Sequence, residues 1–174
     1  MTQGHIFIRH PPLRDVAGLC YGRQDLRIDR GDIAAAAATL QTLPALPILS
    51  SPAQRCLDLA RAIAGPRPIT MEARLQEMDF GAWEGQAWSA LPRADLDRWA
   101  ADAAGFRPPG GECFHDVLAR LRNVLGMLRA PHLIITHAGI IRAAQHALGG
   151  MPLLDAAAWS VPYCMPITFR TPQW

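Results

Sequence analysis

The sequence predicts a three-layer α/β domain in which helices cover a central sheet. Short apolar runs of strand length alternate with longer segments of helical periodicity along the 174 residues. Clusters of Pro and Gly at 44–47, 65–68, 107–111 and 149–152 separate these segments. Because the strand-like runs are short, apolar and flanked by helices, we expect them to pair mainly in parallel.

Five runs are predicted as strands because each is short and mainly apolar. In chain order they are His5–Arg9, Leu46–Leu49, Ile69–Met71, His132–Thr136 and Ile167–Phe169.

The helix predictions rest on periodicity and on end signals. Ala34–Ala38 lies inside a helical pattern and predicts a close-packing helix. A second helix is expected to begin at Ser51 as N-cap, with proline at its first position. Apolar residues at helical spacing predict a third over about 112–128. A fourth follows His137 and is expected to stop at Gly149-Gly150.

The composition excludes several classes of function. The net charge is only +2, which leaves no footprint for nucleic acid. The chain has no apolar run of about 18 residues and no leader-like N-terminus, so we expect neither a membrane span nor secretion. The four cysteines, Cys20, Cys56, Cys113 and Cys164, are scattered, which favours reduced thiols in a cytoplasmic protein. We expect residues 1–174 to form a single domain.

Lysine is absent, and all 17 Lys or Arg positions are Arg. This excludes Schiff-base lysine chemistry and a P-loop lysine. A phosphate site must therefore use Arg, His and backbone N–H groups, and the planar fork of Arg suits that task. The histidines show no H-x-x-x-H or H-E-x-x-H spacing, so we expect neither a metal nor another cofactor.

Three polar clusters stand where predicted strands end. Arg9 and His10 follow the first strand, the segment 50–55 follows the second and ends on Arg55, and His137 follows the fourth. In open α/β sheets, ligands bind beyond the carboxyl ends of the strands, and helix N-termini there favour anions. We therefore expect these two arginines and two histidines to converge on one anion.

Such a set suits phosphoryl transfer. A neutral imidazole can attack phosphorus directly, and cationic neighbours would help to keep His10 unprotonated. The leaving oxygen then needs a proton, which a carboxyl group can supply. The segment 75–85 mixes aromatic residues, glycines and acids, as a loop over a site would, and offers Glu77 with Glu84 as the alternative acid.

The chain resembles the histidine phosphatase superfamily, also called phosphoglycerate mutase-like. The resemblance rests on five motifs in the family's order, which are Arg9-His10, Ser50–Arg55, Leu75–Gly85, Pro109–Glu112 and Thr136–Gly139. It implies a mixed, mostly parallel sheet covered by helices on both faces. It also implies that no metal is required.

The resemblance assigns a role to each matching residue. His10 would be the nucleophile that carries the phosphoryl group. Arg9, Arg55 and His137 would bind the phosphoryl oxygens. Glu77 would be the proton donor, because it matches the acid of the family's L-x-E-x-x-F-G-x-W-E-G segment.

The chain departs from the family at two motifs. Pro11-Pro12-Leu13 stand where Gly-Glu-Thr usually follows Arg-His, which leaves one or two hydrogen bonds to the phosphoryl group unassigned. Cys113 replaces the usual Ser after Gly-Gly-Glu. We expect both changes to tune rate or substrate choice. The segment 17–26 is similar to the α-ribazole phosphatase branch, which acts in cobalamin biosynthesis.

Trp83 and Trp88 flank the acid segment, and Trp83 is predicted to contact substrate. Packing in the core is the alternative for both. We expect the ligand to be a small-molecule phosphate ester, with neither nucleic acid nor membrane as a partner. A homodimer stays open.

Three other functions also stay open. A phosphoglycerate mutase shares the chemistry, although the chain between Gly85 and Gly111 is short for a lid. A broad small-molecule phosphatase would use the same residues. A catalytically weak phospho-ligand binding protein has only Pro11 in its favour.

Overall fold

The computed structural model describes residues 4–170, which include a five-stranded sheet. The strands are β1 Gly4–Arg9, β2 Ile48–Ser50, β3 Ile69–Met71, β4 Leu133–Thr136 and β5 Ile167–Arg170. Their order across the sheet is β3-β2-β4-β1-β5. All neighbours pair in parallel except β5, which runs antiparallel to β1 at the edge. The prediction of a mixed, mostly parallel sheet is confirmed.

Helices cover both faces of this sheet. In chain order they are α1 Arg30–Thr39, α2 Gln54–Ala64, α3 Arg93–Ala101, α4 Phe114–Leu125, α5 Ala138–Ala147 and α6 Leu153–Ala158. Alternate residues of β1 face opposite sides, because side chains along a strand alternate. Ile6 and Ile8 pack with α1 and α2, whereas Phe7 packs with α4, α5 and α6. The result is the predicted three-layer α/β/α arrangement.

The helix after β2 begins later than the sequence indicated. Its N-cap is Ala53, not Ser51, and its first helical residue is Gln54. Ser51 Oγ instead makes a 2.8 Å hydrogen bond with Nε2 of His137. Ser51 follows β2 and His137 follows the neighbouring strand β4, so the two side chains meet at the same edge of the sheet. Ser51 Oγ also accepts the N–H of Ala53 at 3.3 Å, so its local bond is to the residue before the helix.

Two helices have no counterpart in the sequence prediction. Helix α3 packs against the core only through the partly buried Leu96 and Trp99, so its apolar stripe is too short to reveal it. Helix α6 has only six residues, which is too short for a periodic signal. Among residues 4–170, no helix is long and apolar enough to cross a membrane.

Candidate active site

His10 lies directly after β1 and is only 2% exposed. Its Nδ1 is 2.6 Å from the carbonyl oxygen of Pro11. A carbonyl oxygen can only accept, so Nδ1 carries the proton and Nε2 keeps the lone pair. Burial, followed by the charge of Arg55, lowers the pKa of His10 to about 3. The imidazole is therefore neutral at physiological pH, with Nε2 as its nucleophilic atom.

His137 follows β4, and its ring packs edge-on against His10 with centroids 5.2 Å apart. Nε of Arg55 donates to Nδ1 of His137 at 3.3 Å, so the ring proton lies on Nε2 and is donated to Ser51. Burial lowers the pKa of His137 well below its ordinary value, and His10 and Arg55 act in the same direction. Donation to a phosphoryl oxygen would require Nε2 to exchange its bond to Ser51.

Arg55 is fully buried in the first turn of α2. Besides its bond to His137, it donates through Nη1 to the carbonyl of Gln24 at 2.6 Å and through Nη2 to the carbonyl of Gly22. A guanidinium has five N–H groups, so these three bonds fix its plane and leave others for a ligand. The loop that contains Gly22 and Gln24 thus orients the cation.

Arg9, the last residue of β1, is held by the segment that precedes β5. Nη1 donates to the carbonyl of Val161 and Nη2 to the hydroxyl of Tyr163, both at 2.8 Å. The guanidinium also lies over the Tyr163 ring, 3.6 Å from its centroid. Nε of Arg9 is buried and has no hydrogen-bond partner in residues 4–170. An anion beside His10 would satisfy this donor.

Tyr163 is a functional candidate that the sequence analysis missed. Its ring lies 6.0 Å from that of His10, and it binds Arg9 by both ring and hydroxyl. Burial raises the pKa of Tyr21 to about 12, and a hydrogen bond to Tyr163 acts in the same direction. Tyr163 thus lies beside Arg9 and His10, and Tyr21 lies close to Tyr163.

The side chain of Glu77 lies at the N-terminus of α5, where it binds Gly139, the second residue after His137. Its carboxylate accepts the backbone N–H of Gly139 at 3.0 and 3.2 Å, and Oε1 also accepts that of Met78 at 2.9 Å. These hydrogen bonds fix the orientation of the carboxyl group. Because Gly139 belongs to the segment 136–139, they place Glu77 beside the motif that contains His137.

Glu84, the alternative acid, has a different position. Its two oxygens accept backbone N–H groups from Gly22, Arg23, Gln24 and Phe80 at 2.9 to 3.4 Å. A carboxylate occupied by four backbone donors supports a loop and is poorly placed to exchange protons with a ligand. The geometry therefore favours Glu77 over Glu84 as the acid.

Arg120 on α4 makes a largely buried ion pair with Glu112. The side chain is only 12% exposed, and its pair with Glu112 is accompanied by bonds to backbone carbonyls of Arg74 and Glu77 at 2.6 and 3.1 Å. Glu112 also accepts the N–H of Asp79 at 3.0 Å. Arg120 and Glu112 thus brace the backbone that carries the acid, because both residues bind the segment 74–79.

A cavity of about 290 Å³ opens beside Glu77. Its walls include Phe80, Trp88 and Trp99, and it also contacts Gly139 and Arg142. The indoles of Trp88 and Trp99 are nearly parallel, with centroids 5.3 Å apart, and Phe80 packs edge-on against both. We call this cavity the aromatic pocket.

Trp83, predicted to contact substrate, does not line the aromatic pocket. It is 2% exposed and packs behind the wall, edge-on against Trp88 and Trp99 and stacked on Phe106. The neighbouring 3₁₀ turn, Trp88–Ala90, presents Trp88 to the pocket instead. The local motif could not distinguish these two tryptophans, because their orientation depends on packing against α3.

The cysteines, Cys20, Cys56, Cys113 and Cys164, are free, and all but Cys164 are buried. Cys56 lies against the ring of His137, with Sγ 3.5 Å from Nε2, and burial raises the pKa of its thiol. Within residues 4–170, no group of three or more His, Cys, Asp or Glu side chains is placed to hold a metal ion. Arginine, histidine and backbone donors dominate the site, and these bind anions.

Comparison with known proteins agrees with this geometry. Residues 5–171 match the family model of the histidine phosphatase superfamily (branch 1). A phosphoglycerate mutase from Thermus thermophilus superposes with a TM-score of 0.78 at 29% identity, over 97% of this chain and 93% of that chain. Glucosyl-3-phosphoglycerate phosphatase of Mycolicibacterium vanbaalenii is 31% identical over 144 residues, which are 72% of this chain and 63% of the relative.

A bifunctional protein of Mycobacterium tuberculosis is 36% identical over 133 residues. This match covers 66% of the chain but only 36% of the relative, so the chain spans little more than a third of that protein. The family match, in contrast, extends over nearly all of the described residues. The chain belongs to the histidine phosphatase superfamily, branch 1.

Proposed function

We propose that the protein is a phosphomonoesterase that works through a phosphohistidine intermediate on His10. The observation that carries the proposal is the neutral Nε2 of His10, which makes no hydrogen bond within residues 4–170 and lies among Arg9, Arg55 and His137. A lone pair surrounded by cationic and hydrogen-bonding groups suits attack on an anionic phosphorus centre.

In the first step, Nε2 of His10 forms a bond to phosphorus and the ester P–O bond breaks. The leaving oxygen takes a proton from the carboxyl group of Glu77, which must enter this step protonated. Arg9 and Arg55 offset the charge on the equatorial oxygens through the N–H groups that the protein leaves unused. The products of this step are the free alcohol and phosphorylated His10.

In the second step, the Glu77 carboxylate accepts a proton from water. The water oxygen bonds to phosphorus as the P–N bond breaks, which releases inorganic phosphate and restores neutral His10. Each residue then has its starting protonation state, so no metal or cofactor is needed to balance the cycle.

We propose α-ribazole 5′-phosphate as the substrate, which would place the enzyme in cobalamin biosynthesis in the cytoplasm. The similarity of segment 17–26 to that branch supports this assignment. The aromatic pocket supports it as well, because a benzimidazole ring is flat and apolar on both faces. Free, scattered cysteines fit a reducing compartment.

The test compares the native protein with His10→Ala on p-nitrophenyl phosphate and α-ribazole 5′-phosphate, with a chelator present. We expect the native protein to favour α-ribazole 5′-phosphate, and His10→Ala to lose measurable turnover on both esters. A brief reaction with labelled substrate, followed by acid and alkaline quenching, should show an acid-labile, alkali-stable phosphoprotein. His115→Gln is a suitable control, because His115 is exposed and outside the site.

The outcomes separate the parts of the proposal. Turnover of p-nitrophenyl phosphate alone would retain the mechanism and remove the α-ribazole assignment. Full activity of His10→Ala would remove the mechanism. Binding of phosphate esters by the native protein without turnover would support a phospho-ligand binding protein.

A mutase is the second candidate, because the structurally similar Thermus protein is named a phosphoglycerate mutase. Such an enzyme would return the phosphoryl group from His10 to its product instead of to water. Exchange of label between 2- and 3-phosphoglycerate, faster than phosphate release, would favour the mutase. We expect phosphate release to be faster.

A further inference from the structure

The aromatic pocket contains a cation that has no carboxylate partner within residues 4–170. This cation is Arg142, which is half-buried on α5 and lies one turn beyond Gly139. Nε donates to the carbonyl of Trp159 at 2.8 Å, which holds the guanidinium in place. Both Nη groups are without a hydrogen bond to the described residues. Arg142 is thus fixed in position with donors to spare.

Glu77, the acid that shares the pocket, acts on Arg142 only through the longer-range effect of its charge. Glu77 forms no ion pair with it within the described residues, and the Glu77 carboxylate is already engaged by the N–H groups of Gly139 and Met78. Burial lowers the pKa of Arg142, while the charge of Glu77 acts in the opposite direction. Holding a cation partly away from water is costly unless a ligand or partner compensates it.

Much of the pocket lining is aromatic. Phe80, Trp88 and Trp99 line the cavity together with Arg142, so the pocket combines flat apolar surface with a cation. Glu77 lines the same cavity, so in the proposed mechanism the pocket adjoins the group that donates a proton to the leaving alcohol. A volume of about 290 Å³ accommodates one ring system with small substituents.

We propose that Arg142 is a specificity-determining residue that binds a hydrogen-bond acceptor on the alcohol half of the substrate, while Trp88 and Trp99 hold a flat ring of the same alcohol. The inference rests on the proposed phosphatase function and names the class of its substrate. That class is a phosphate monoester of a small alcohol with a flat apolar ring and an acceptor such as a hydroxyl or carboxylate. α-Ribazole 5′-phosphate carries both features, in its benzimidazole and its ribose.

The test uses two esters that differ only in the acceptor, phenyl phosphate and 3-carboxyphenyl phosphate. A carboxylate at the meta position changes the acidity of the phenol little, so the comparison reports binding of the leaving group. We expect the native protein to favour the carboxylated ester by about tenfold or more in kcat/KM, as a charge-assisted hydrogen bond would produce. Arg142→Met should bring this ratio close to one, and Arg142→Lys should keep part of it.

The matched control is Arg122→Met, which removes an exposed arginine from α4 and should leave the ratio as in the native protein. If Arg142→Met does not fold, as a melting curve would show, Arg142→Lys carries the test, because it keeps the charge and loses the planar fork. Trp88→Leu tests the apolar wall and should raise KM for both aryl esters relative to propyl phosphate.

Equal kcat/KM for the two esters in the native protein would overturn the role of Arg142. An undiminished ratio in Arg142→Met would do the same. Equal effects of Trp88→Leu on aryl and propyl phosphate would overturn the ring site. Results against the proposed phosphatase function can be told apart from these. In that case the native protein would hydrolyse none of the three esters, or His10→Ala would remain active.

Discussion

Glu84 and Arg55 bind opposite sides of the same loop. The carboxylate of Glu84 accepts the backbone N–H groups of Gly22 and Gln24, and Arg55 donates to the carbonyl groups of those same two residues. The acid of the Trp-Glu-Gly motif therefore orients Arg55, the arginine proposed to bind phosphate, without contacting it. This relation gives a structural role to an acid that the sequence left as a second candidate for proton transfer.

We expect Glu84→Gln to weaken phosphate binding. An amide NH₂ would face backbone N–H groups, so the loop would shift and Arg55 would lose its fixed plane. The expected changes are a rise of about tenfold in the inhibition constant for inorganic phosphate and a loss of about 1–3 kcal/mol in the free energy of unfolding. Phosphate inhibition and chemical denaturation measure the two effects.

The control is Glu72→Gln, which breaks a pair with Arg74 and lies outside the site. It should lower stability slightly and leave phosphate inhibition unaltered. Loss of stability in Glu84→Gln with native phosphate affinity would show that the loop does not orient Arg55.

The position of the Glu77 carboxyl group requires a glycine at 139, so Gly139→Ala should impair proton donation by Glu77. A Cβ built at this position overlaps Oε1 of Glu77, so the carboxyl group must move. General acid catalysis contributes about 10²–10⁴-fold, and it matters most for poor leaving groups. We expect turnover of an alkyl phosphate to fall about 100-fold, and that of p-nitrophenyl phosphate to fall less than tenfold.

Gly126→Ala is the matched control. Gly126 ends α4 in a helical conformation, and an added Cβ would meet no atom closer than 3.4 Å. This variant should be as active as the native protein on both esters. An equal loss on the two esters in Gly139→Ala would point to general disruption of α5 and against displacement of the acid.

The sequence predicted the sheet and the clustering of arginines and histidines at its edge better than it predicted the residues that surround this cluster. Apolar runs revealed the strands, and the motifs at their ends identified Arg9, His10, Arg55 and His137, because parallel strands bring their carboxyl ends together. Arg142 and Tyr163 were missed. The sequence around an arginine does not show whether its side chain faces a cavity or solvent. For Arg142, its position one helical turn after Gly139 was the one available indication that it lies near the site.

Buried neutral histidines make stability depend on pH. The pKa of His5 is lowered to about 4 and that of His10 to about 3, chiefly by burial, from 6.5 in the unfolded chain. Below pH 6.5 the unfolded chain binds protons that the folded protein does not, so stability falls as pH falls toward these values and is flat above 6.5. At pH 5.5, each such histidine should lower the free energy of unfolding by about 1.4 kcal/mol relative to its value at neutral pH.

Denaturation between pH 7.5 and 5 measures this slope in the native protein and in His10→Gln. We expect the variant to lose about 1.4 kcal/mol less than the native protein between pH 7.5 and 5.5, because one titrating group is gone. Parallel slopes in the two proteins would mean that His10 binds its proton over the same pH range in the folded and unfolded states, so that it is protonated in the folded protein below about pH 6.5. A proton on Nε2 would also prevent nucleophilic attack.

Tyr163 holds Arg9 by two separable interactions, and two variants distinguish them. Tyr163→Phe removes the hydroxyl that accepts from Nη2 but keeps a ring beneath the guanidinium, whereas Tyr163→Leu removes both. A hydrogen bond contributes about 0.5–1.5 kcal/mol and a cation–π contact about 0.5–2 kcal/mol. We expect the inhibition constant for inorganic phosphate to rise about threefold in Tyr163→Phe and about tenfold or more in Tyr163→Leu.

The remaining bond from Arg9 to Val161 should keep the side chain in the site, so turnover is reduced and not abolished. Identical phosphate inhibition in all three proteins would show that Val161 alone positions Arg9.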